Sequence, residues 1–218
     1  MPFAAVLFDN DGLLLDTELA WTRAEEELFS RRGRTFTAEH KRALLGSTST
    51  FAGAMLEEWL EVPGEGNALF AELEELVLEE AREGVPPRPG ALELIDRLRE
   101  AGTPMAVASN SRRVFVELVL GGAGLLGEGS PFGAVVTFDD VAKGKPAPDV
   151  YVEAARRLGL EASDCAAFED SPTGAEAARA AGAYVIGVPY FADGDMGDVD
   201  LRASSLADAS IGRALGVM

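Results

Sequence analysis

Ala4-Ala5-Val6-Leu7-Phe8-Asp9-Asn10-Asp11-Gly12 runs from five apolar residues straight into two carboxylates, an amide and a glycine. A short apolar run closed by turn-forming residues predicts a buried β-strand that stops near Phe8. Two other runs end in the same manner: Met105 to Ala108 leads into Ser109-Asn110, and Ala166 to Phe168 leads into Glu169-Asp170. As parallel strands of one sheet, the three would bring their carboxyl ends to a shared edge, where open α/β sheets hold ligands. A fourth block, Lys143-Gly144-Lys145-Pro146-Ala147-Pro148-Asp149, adds an ammonium, and its prolines favour a fixed lysine over a mobile one. Carboxylates for a hard cation, a hydroxyl, an amide and one lysine would then meet. That set suits phosphoryl chemistry, because a divalent ion and a lysine can neutralise phosphate charge while a carboxylate attacks.

Each block also has a plainer reading. Side chains at i and i+2 of an extended segment point the same way, so Asp9 and Asp11 can face one ligand; the same residues, with Asn10 and Gly12, can simply close a strand with an Asx turn. Ser109-Asn110-Ser111 can cap the helix predicted from Arg112, and a helix amino end is itself an anion seat, so cap and phosphate site are compatible. Asp170 or Ser171 can be an ordinary N-cap. At a strand end beside Asp9, however, the carboxylates of Glu169 and Asp170 would repel unless a cation held them. The joint occurrence decides for a site. Gly122-Ala123-Gly124-Leu125-Leu126-Gly127 fits G-x-G-x-x-G, but Glu128 to Gly133 break a helix instead of starting one, which predicts a loop and no dinucleotide. The lone His40 is expected to be solvated, and Cys165 to be a small core residue; neither is assigned a role.

Composition bounds the possibilities. The 218 residues, 47% hydrophobic, suffice for one domain carrying an inserted module. Nineteen basic against 37 acidic residues give a net charge of -18, which repels nucleic acid and anionic membranes and excludes both as main partners. One cysteine forms no internal disulfide, and no signal peptide or bilayer-spanning run is seen, so a reducing cytoplasm is the expected location.

The periodicities give the architecture. Residues 18 to about 84 hold three helical patterns: one from about Leu19 to Arg32, one with a Met55, Leu56, Trp59, Leu60 stripe, and one with Leu69, Leu73, Leu76 and Val77 on a single face. From Pro86 onward strands and helices alternate, with strands predicted at 103–109, 134–138, 165–169 and 183–188 between helices at 91–101, 112–120, 149–158 and 173–181. The fold class is α/β, a doubly wound parallel sheet with an inserted all-helical cap. Residues 1–16 plus 86–218 are the expected core and 17–85 the expected cap, with linkers near Asp16-Thr17 and Val85 to Pro89.

Taken together, Phe8-Asp9-Asn10-Asp11-Gly12-Leu13-Leu14-Leu15-Asp16-Thr17-Glu18, Ser109-Asn110-Ser111, Gly144-Lys145-Pro146-Ala147-Pro148-Asp149 and Glu169-Asp170-Ser171 resemble the four signature motifs of the haloacid dehalogenase superfamily, in its β-phosphoglucomutase-like phosphatase branch. The resemblance spans residues 3 to about 190. It implies a Rossmann-like core, Asp9 as the nucleophile that accepts the phosphoryl group, and Asp11 as general acid and base. It further implies that Ser109 and Lys145, assisted by Asn110, hold the phosphate, and that Mg²⁺ is bound by Asp170, Asp9 and the backbone carbonyl of Asp11. Glu169 is implied in or near that metal shell. Specificity is expected from cap residues around Glu18, Trp21 and Gly46 to Thr50, and Glu18 resembles the sugar-phosphate phosphatases of the branch.

Two departures separate this chain from the mutase of that branch: Ser49 stands where the mutase has an arginine, and Trp21 where it has a histidine. Both losses favour hydrolysis. Asn10, at a position often apolar elsewhere, is expected to leave catalysis unaffected if it faces away from the site. The expected activity is Mg²⁺-dependent hydrolysis of small phosphorylated metabolites, sugar phosphates foremost, by a monomer or small homo-oligomer. The alternatives are a β-phosphoglucomutase, told apart by its isomerised product, a non-catalytic phospho-receiver, which would have no cap and no use for Asp11, and a binding-only relative, against which stand the four intact motif blocks.

Overall fold

A computed structural model describes residues 2–217. The first strand, β1 (Ala5–Phe8), lies in the middle of a six-stranded sheet and is fully buried. Buried on both faces, it needs no polar alternation, which is why its sequence reads as a continuous apolar run. It pairs in parallel with β2 (Met105–Ala108) on one side and β4 (Cys165–Glu169) on the other, with Phe8 opposite both Val107 and Phe168. The sheet continues outward through β3 (Ala134–Val136) beyond β2, and through β5 (Tyr184–Gly187) and β6 (Leu201–Arg202) beyond β4. Every pairing is parallel. The three strand ends read from the sequence therefore do share one edge.

Alternate residues of each strand feed two cores. Val6, Phe8, Val107, Phe168 and Ile186 face one side, where the Phe8 and Phe168 rings stack with centroids 5.1 Å apart. Ala5, Leu7, Ala106, Ala108, Ala167 and Val185 face the other. That second face is small-sided because α7 (Asp149–Arg157) and α8 (Pro172–Ala180) lie against it through Val150, Tyr151, Ala154, Ala175 and Ala178. α5 (Ala91–Glu100) and α6 (Arg113–Gly122) belong to the first side, burying Leu94, Leu98, Val116 and Leu120.

Between β1 and α5 the chain builds a helical cap of four helices, α1 (Glu18–Ser30), α2 (Ala38–Leu44), α3 (Ser49–Leu60) and α4 (Gly66–Ala81). The Leu69, Leu73, Leu76 and Val77 stripe of α4 is buried, as its spacing predicts. The outgoing and returning chains run side by side: Asp16 N–H donates to Pro86 O at 2.8 Å and Arg88 N–H to Leu14 O at 2.9 Å. Tyr190, beyond β5, fastens this crossing, its hydroxyl donating to Asp16 at 3.0 Å while Arg88 lies over its ring.

The structure corrects the sequence reading in three places. α2 is a fourth cap helix; seven residues are too few to show a period. His40 is half-buried instead of solvated, its Nδ1 accepting the Thr37 N–H at 3.2 Å and its ring 4.5 Å from that of Trp59. Finally, the two-residue β6 and α9 (Ala209–Leu215) extend the core past the last predicted strand. The glycine-rich segment after α6 is indeed loop, since that helix ends at Gly122.

Candidate active site

The carboxyl edge of β1, β2 and β4 carries the expected residues. Asp9 follows β1 directly and extends its ladder by one bond, its N–H donating to Phe168 O at 3.0 Å. Lys145, almost fully buried, places Nζ 2.5 Å from Asp9 Oδ1 and 2.6 Å from Glu169 Oε1. Burial alone would lower the lysine, but Asp9 and then Glu169 reverse that and hold it charged, above its ordinary value. Asn110 fixes the lysine's loop: its Oδ1 accepts the Lys145 N–H at 2.8 Å.

Asp9, Glu169 and Asp170 each offer an oxygen within 4.8 Å of the others, all three being buried. Burial pushes the Asp9 carboxyl well above its usual range, with Lys145 opposing and Glu169 and Asp11 adding to the rise. Asp170 is raised for the same first reason, then by the charges of Asp9, Glu169 and Glu18. Three carboxylates share one ammonium, and among the described residues no ion pair reaches Asp170. A buried excess of two negative charges is the environment in which a divalent cation with oxygen ligands fits. Glu169 is the most committed of the three, since Oε1 also accepts the buried Tyr151 hydroxyl at 2.5 Å.

Asp11 stands apart from that cluster. Its Oδ2 accepts the Ser109 hydroxyl at 2.9 Å, and Ser109 Oγ in turn accepts the Ser111 N–H at 3.0 Å. Burial raises the Asp11 carboxyl, while the hydroxyls of Ser111, Ser109 and Thr17 pull it down. An acid hydrogen-bonded to hydroxyls, next to the cluster of three carboxylates yet outside it, can carry a proton to and from a neighbouring oxygen.

Two glycines make this crowding possible. Gly12 has φ +74°, and a Cβ there would lie 2.2 Å from Asp170 Oδ2, so only glycine lets β1's exit loop pass that carboxylate. Gly46, with φ +66°, carries the cap against the fourth motif: a Cβ would lie 2.7 Å from Ser171 Cβ.

On the cap side Glu18 pairs with Lys41 at 2.6 Å, and Lys41 also meets Glu25 at 3.1 Å, all three side chains being nearly buried. Lys41 and Glu25 were not anticipated, because Glu39-His40-Lys41-Arg42 reads as a solvated charged run. Tyr151 and Thr17, both buried, and the half-buried Ser111 were missed too; a lone hydroxyl leaves no periodic signal. Ser49 is exposed at the start of α3, and Trp21 packs between Phe70 of the cap and Phe115 of the core, 6.4 and 6.2 Å between centroids.

Residues 3–182 match the family model of haloacid dehalogenase-like hydrolases. Protein CbbY of Rhodobacter capsulatus is 33% identical over 219 residues, with 96% of each chain covered. The fructose-1-phosphate phosphatase YqaB of Escherichia coli (strain K12) is 33% identical over 188 residues, covering 85% of this chain and 96% of that one. Crystal structures of CbbY from Rhodobacter sphaeroides, one in complex with phosphate and one of a mutant with xylulose-(1,5)bisphosphate, superpose with a TM-score of 0.78 at 29% identity, covering 94% of this chain and 95% of theirs.

Proposed function

This chain belongs to the haloacid dehalogenase-like hydrolases, and from that premise we propose that it is a phosphatase of small phosphorylated metabolites, acting on sugar phosphates through a phosphoryl group carried on Asp9. The observation that carries the reading is the buried meeting of Asp9, Lys145, Glu169 and Asp170 at the carboxyl edge of the sheet. Asp9, Asp170 and the backbone carbonyl of Asp11 would hold Mg²⁺, with Glu169 beside them. Bound there, the ion would offset charge on the phosphate and on the attacking carboxylate.

The chain's own groups divide the remaining work. Lys145 and Ser109 hold the phosphate oxygens, and Asn110 keeps the lysine's loop in place. Asp9 Oδ attacks phosphorus in line as the ester oxygen leaves, and Asp11, protonated, donates its proton to that oxygen. Asp11, now a carboxylate, takes a proton from the water that attacks the aspartyl-phosphate, freeing inorganic phosphate and restoring both aspartates. General acid and base work of this kind contributes about 10²- to 10⁴-fold.

Two relatives support a sugar-phosphate substrate by what their names say of them: YqaB is a fructose-1-phosphate phosphatase, and the Rhodobacter sphaeroides structure holds a xylulose bisphosphate. Hydrolysis is favoured over phosphosugar isomerisation by Ser49 and Trp21. An exposed serine lacks an arginine's bidentate grip on a second phosphate, and the indole is occupied between two phenyl rings. A panel of phosphorylated metabolites tests the proposal: phosphate release from sugar monophosphates, abolished by chelator, is expected. Full turnover in excess EDTA, or NADPH formation from β-glucose 1-phosphate in a glucose-6-phosphate dehydrogenase assay with little free phosphate, contradicts it.

A further inference from the structure

Asn10 lies between the two aspartates and is fully buried. The condition under which it would leave catalysis unaffected, that it face away from the site, is not met: its Nδ2 donates to Asp11 Oδ1 at 3.1 Å. Its own Oδ1 is buried with no hydrogen-bond partner. Turning the amide over does not relieve this, because the buried position now without a partner would then hold the Nδ2 donor instead of the oxygen. The orientation that serves Asp11 is therefore the one that strands the Asn10 oxygen, and an unpaired buried carbonyl destabilises a fold. The local turn has no need of the amide either: the Asn10 backbone oxygen already accepts the N–H groups of Leu14 and Leu15 at 3.1 and 3.2 Å. An apolar side chain of similar size would satisfy the core and leave nothing unpaired.

Asp11 shows what the amide supplies. Ser109 holds one carboxyl oxygen at 2.9 Å and Asn10 the other at 3.1 Å. The hydroxyls of Ser111 and Thr17 also face this carboxyl, but Asn10 is the amide donor on Oδ1 opposite Ser109 on Oδ2, and a donor on each oxygen fixes a carboxyl plane whose terminal torsion is otherwise broad and shallow. We propose that Asn10 is a positioning residue, which fixes the plane of the Asp11 carboxyl for proton transfer and is kept at a cost in stability. The inference rests on the role of Asp11 given above, and its signature is a stability change and a rate change of opposite sense.

The test is Asn10→Leu, with Asn10→Met as a second apolar variant, followed by thermal melts and by steady-state kinetics on a phosphoester the wild type hydrolyses. Both variants should melt at or about 2–4 °C above the wild type, since the unpaired carbonyl is gone. Their kcat should fall about tenfold, with KM and the Mg²⁺ concentration for half activation changed by less than about twofold, because misplacing a proton-transfer group affects the transition state alone. A lowered melting point with unchanged kcat marks a merely structural residue and overturns the proposal, as does an unchanged kcat at any stability. If the wild type hydrolyses no phosphoester, the functional reading fails, and a crystal structure of Asn10→Leu decides this point separately. An Asp11 carboxyl rotated off Ser109 supports the positioning role; an unmoved one refutes it.

Discussion

The Lys145 ammonium lies 2.5 Å from Asp9 and 2.6 Å from Glu169 in a place closed to solvent, so the lysine both shapes the site and keeps it folded. Replacing it by methionine strands two carboxylates; with chelator present at pH 7.5 the variant should lose about 3–5 kcal/mol of stability. The loss should shrink at acid pH. The Asp9 carboxyl is held above its usual range chiefly by burial, and once protonated it no longer requires the ammonium. Denaturant melts at the two pH values check this, and equal losses at both would contradict it. Asp9→Asn and Asp11→Asn should separate the two aspartates. The first removes the nucleophile and all turnover, whereas the second removes a proton carrier outside the cation cluster and should cost about 10²- to 10⁴-fold in kcat while Mg²⁺ binding persists. Equal loss of metal affinity in the two variants would show that Asp11's side chain belongs to the metal shell.

At the scale of elements, the least expected piece is α2, whose Lys41 reaches across to Glu18 and Glu25 of α1. Glu25 is held at about 7 chiefly by burial, against the pull of Lys41. Its folded value thus lies above the unfolded one, so the stability it contributes is complete below about pH 4.5 and lost as pH rises through about 7. Glu25→Gln keeps the neutral shape and leaves Lys41 paired with Glu18; it should melt like the wild type near pH 4.5 and higher at pH 8. Parallel curves across that range would rule out Glu25 as the titrating group. This helix also shows where sequence reading stops. β1, β2 and β4 were legible because strands buried on both faces are uniformly apolar and end in residues that only a turn or a site favours. α4 was legible through its sixteen residues of heptad-like spacing. α2 has seven residues and a charged sequence, and its Lys41 is buried against partners on α1 distant in the chain, the nearer, Glu25, sixteen residues away, so no local pattern announces it. The same limit applies to Tyr151: its place on α7 was predicted, but its hydroxyl meets Glu169 only because α7 packs beneath the β4 edge. Asn10 was read as neutral for a like reason, since the direction of one amide is decided by the carboxylate that follows it.

The whole molecule carries a net charge of -18 and yet binds an anion on the proposed reading, so its attraction for phosphate must be local. Lys145 supplies part of it and a divalent cation the rest. Because the Asp9, Glu169 and Asp170 cluster repels itself without the ion, Mg²⁺ at about a hundred times its dissociation constant should stabilise the fold by about 2.7 kcal/mol. That corresponds to a rise of about 5–10 °C in Tm for a chain of this size. The increment should vanish in Asp170→Ala, and an undiminished rise there would place the metal elsewhere. The cap bears on the same chemistry, for Gly46 meets Ser171 just after β4 and Arg42 of α2 reaches Asp193 beyond β5, at 3.3 Å, so the helical layer touches the core at two points past the neighbouring strands β4 and β5. Gly46→Ala should hold these apart and lower kcat/KM with little change in Mg²⁺ binding. The claim on which everything else depends is that the phosphoryl group passes through Asp9. Mixing enzyme, Mg²⁺ and a sugar monophosphate, quenching in acid within one turnover, and mapping the digest by mass spectrometry tests it most directly. The account predicts one phosphoryl group, on the peptide containing Asp9 and at that residue, absent from Asp9→Asn; a phosphoryl group on any other side chain, or an Asp9→Asn variant that still releases phosphate at near wild-type rate, would contradict it.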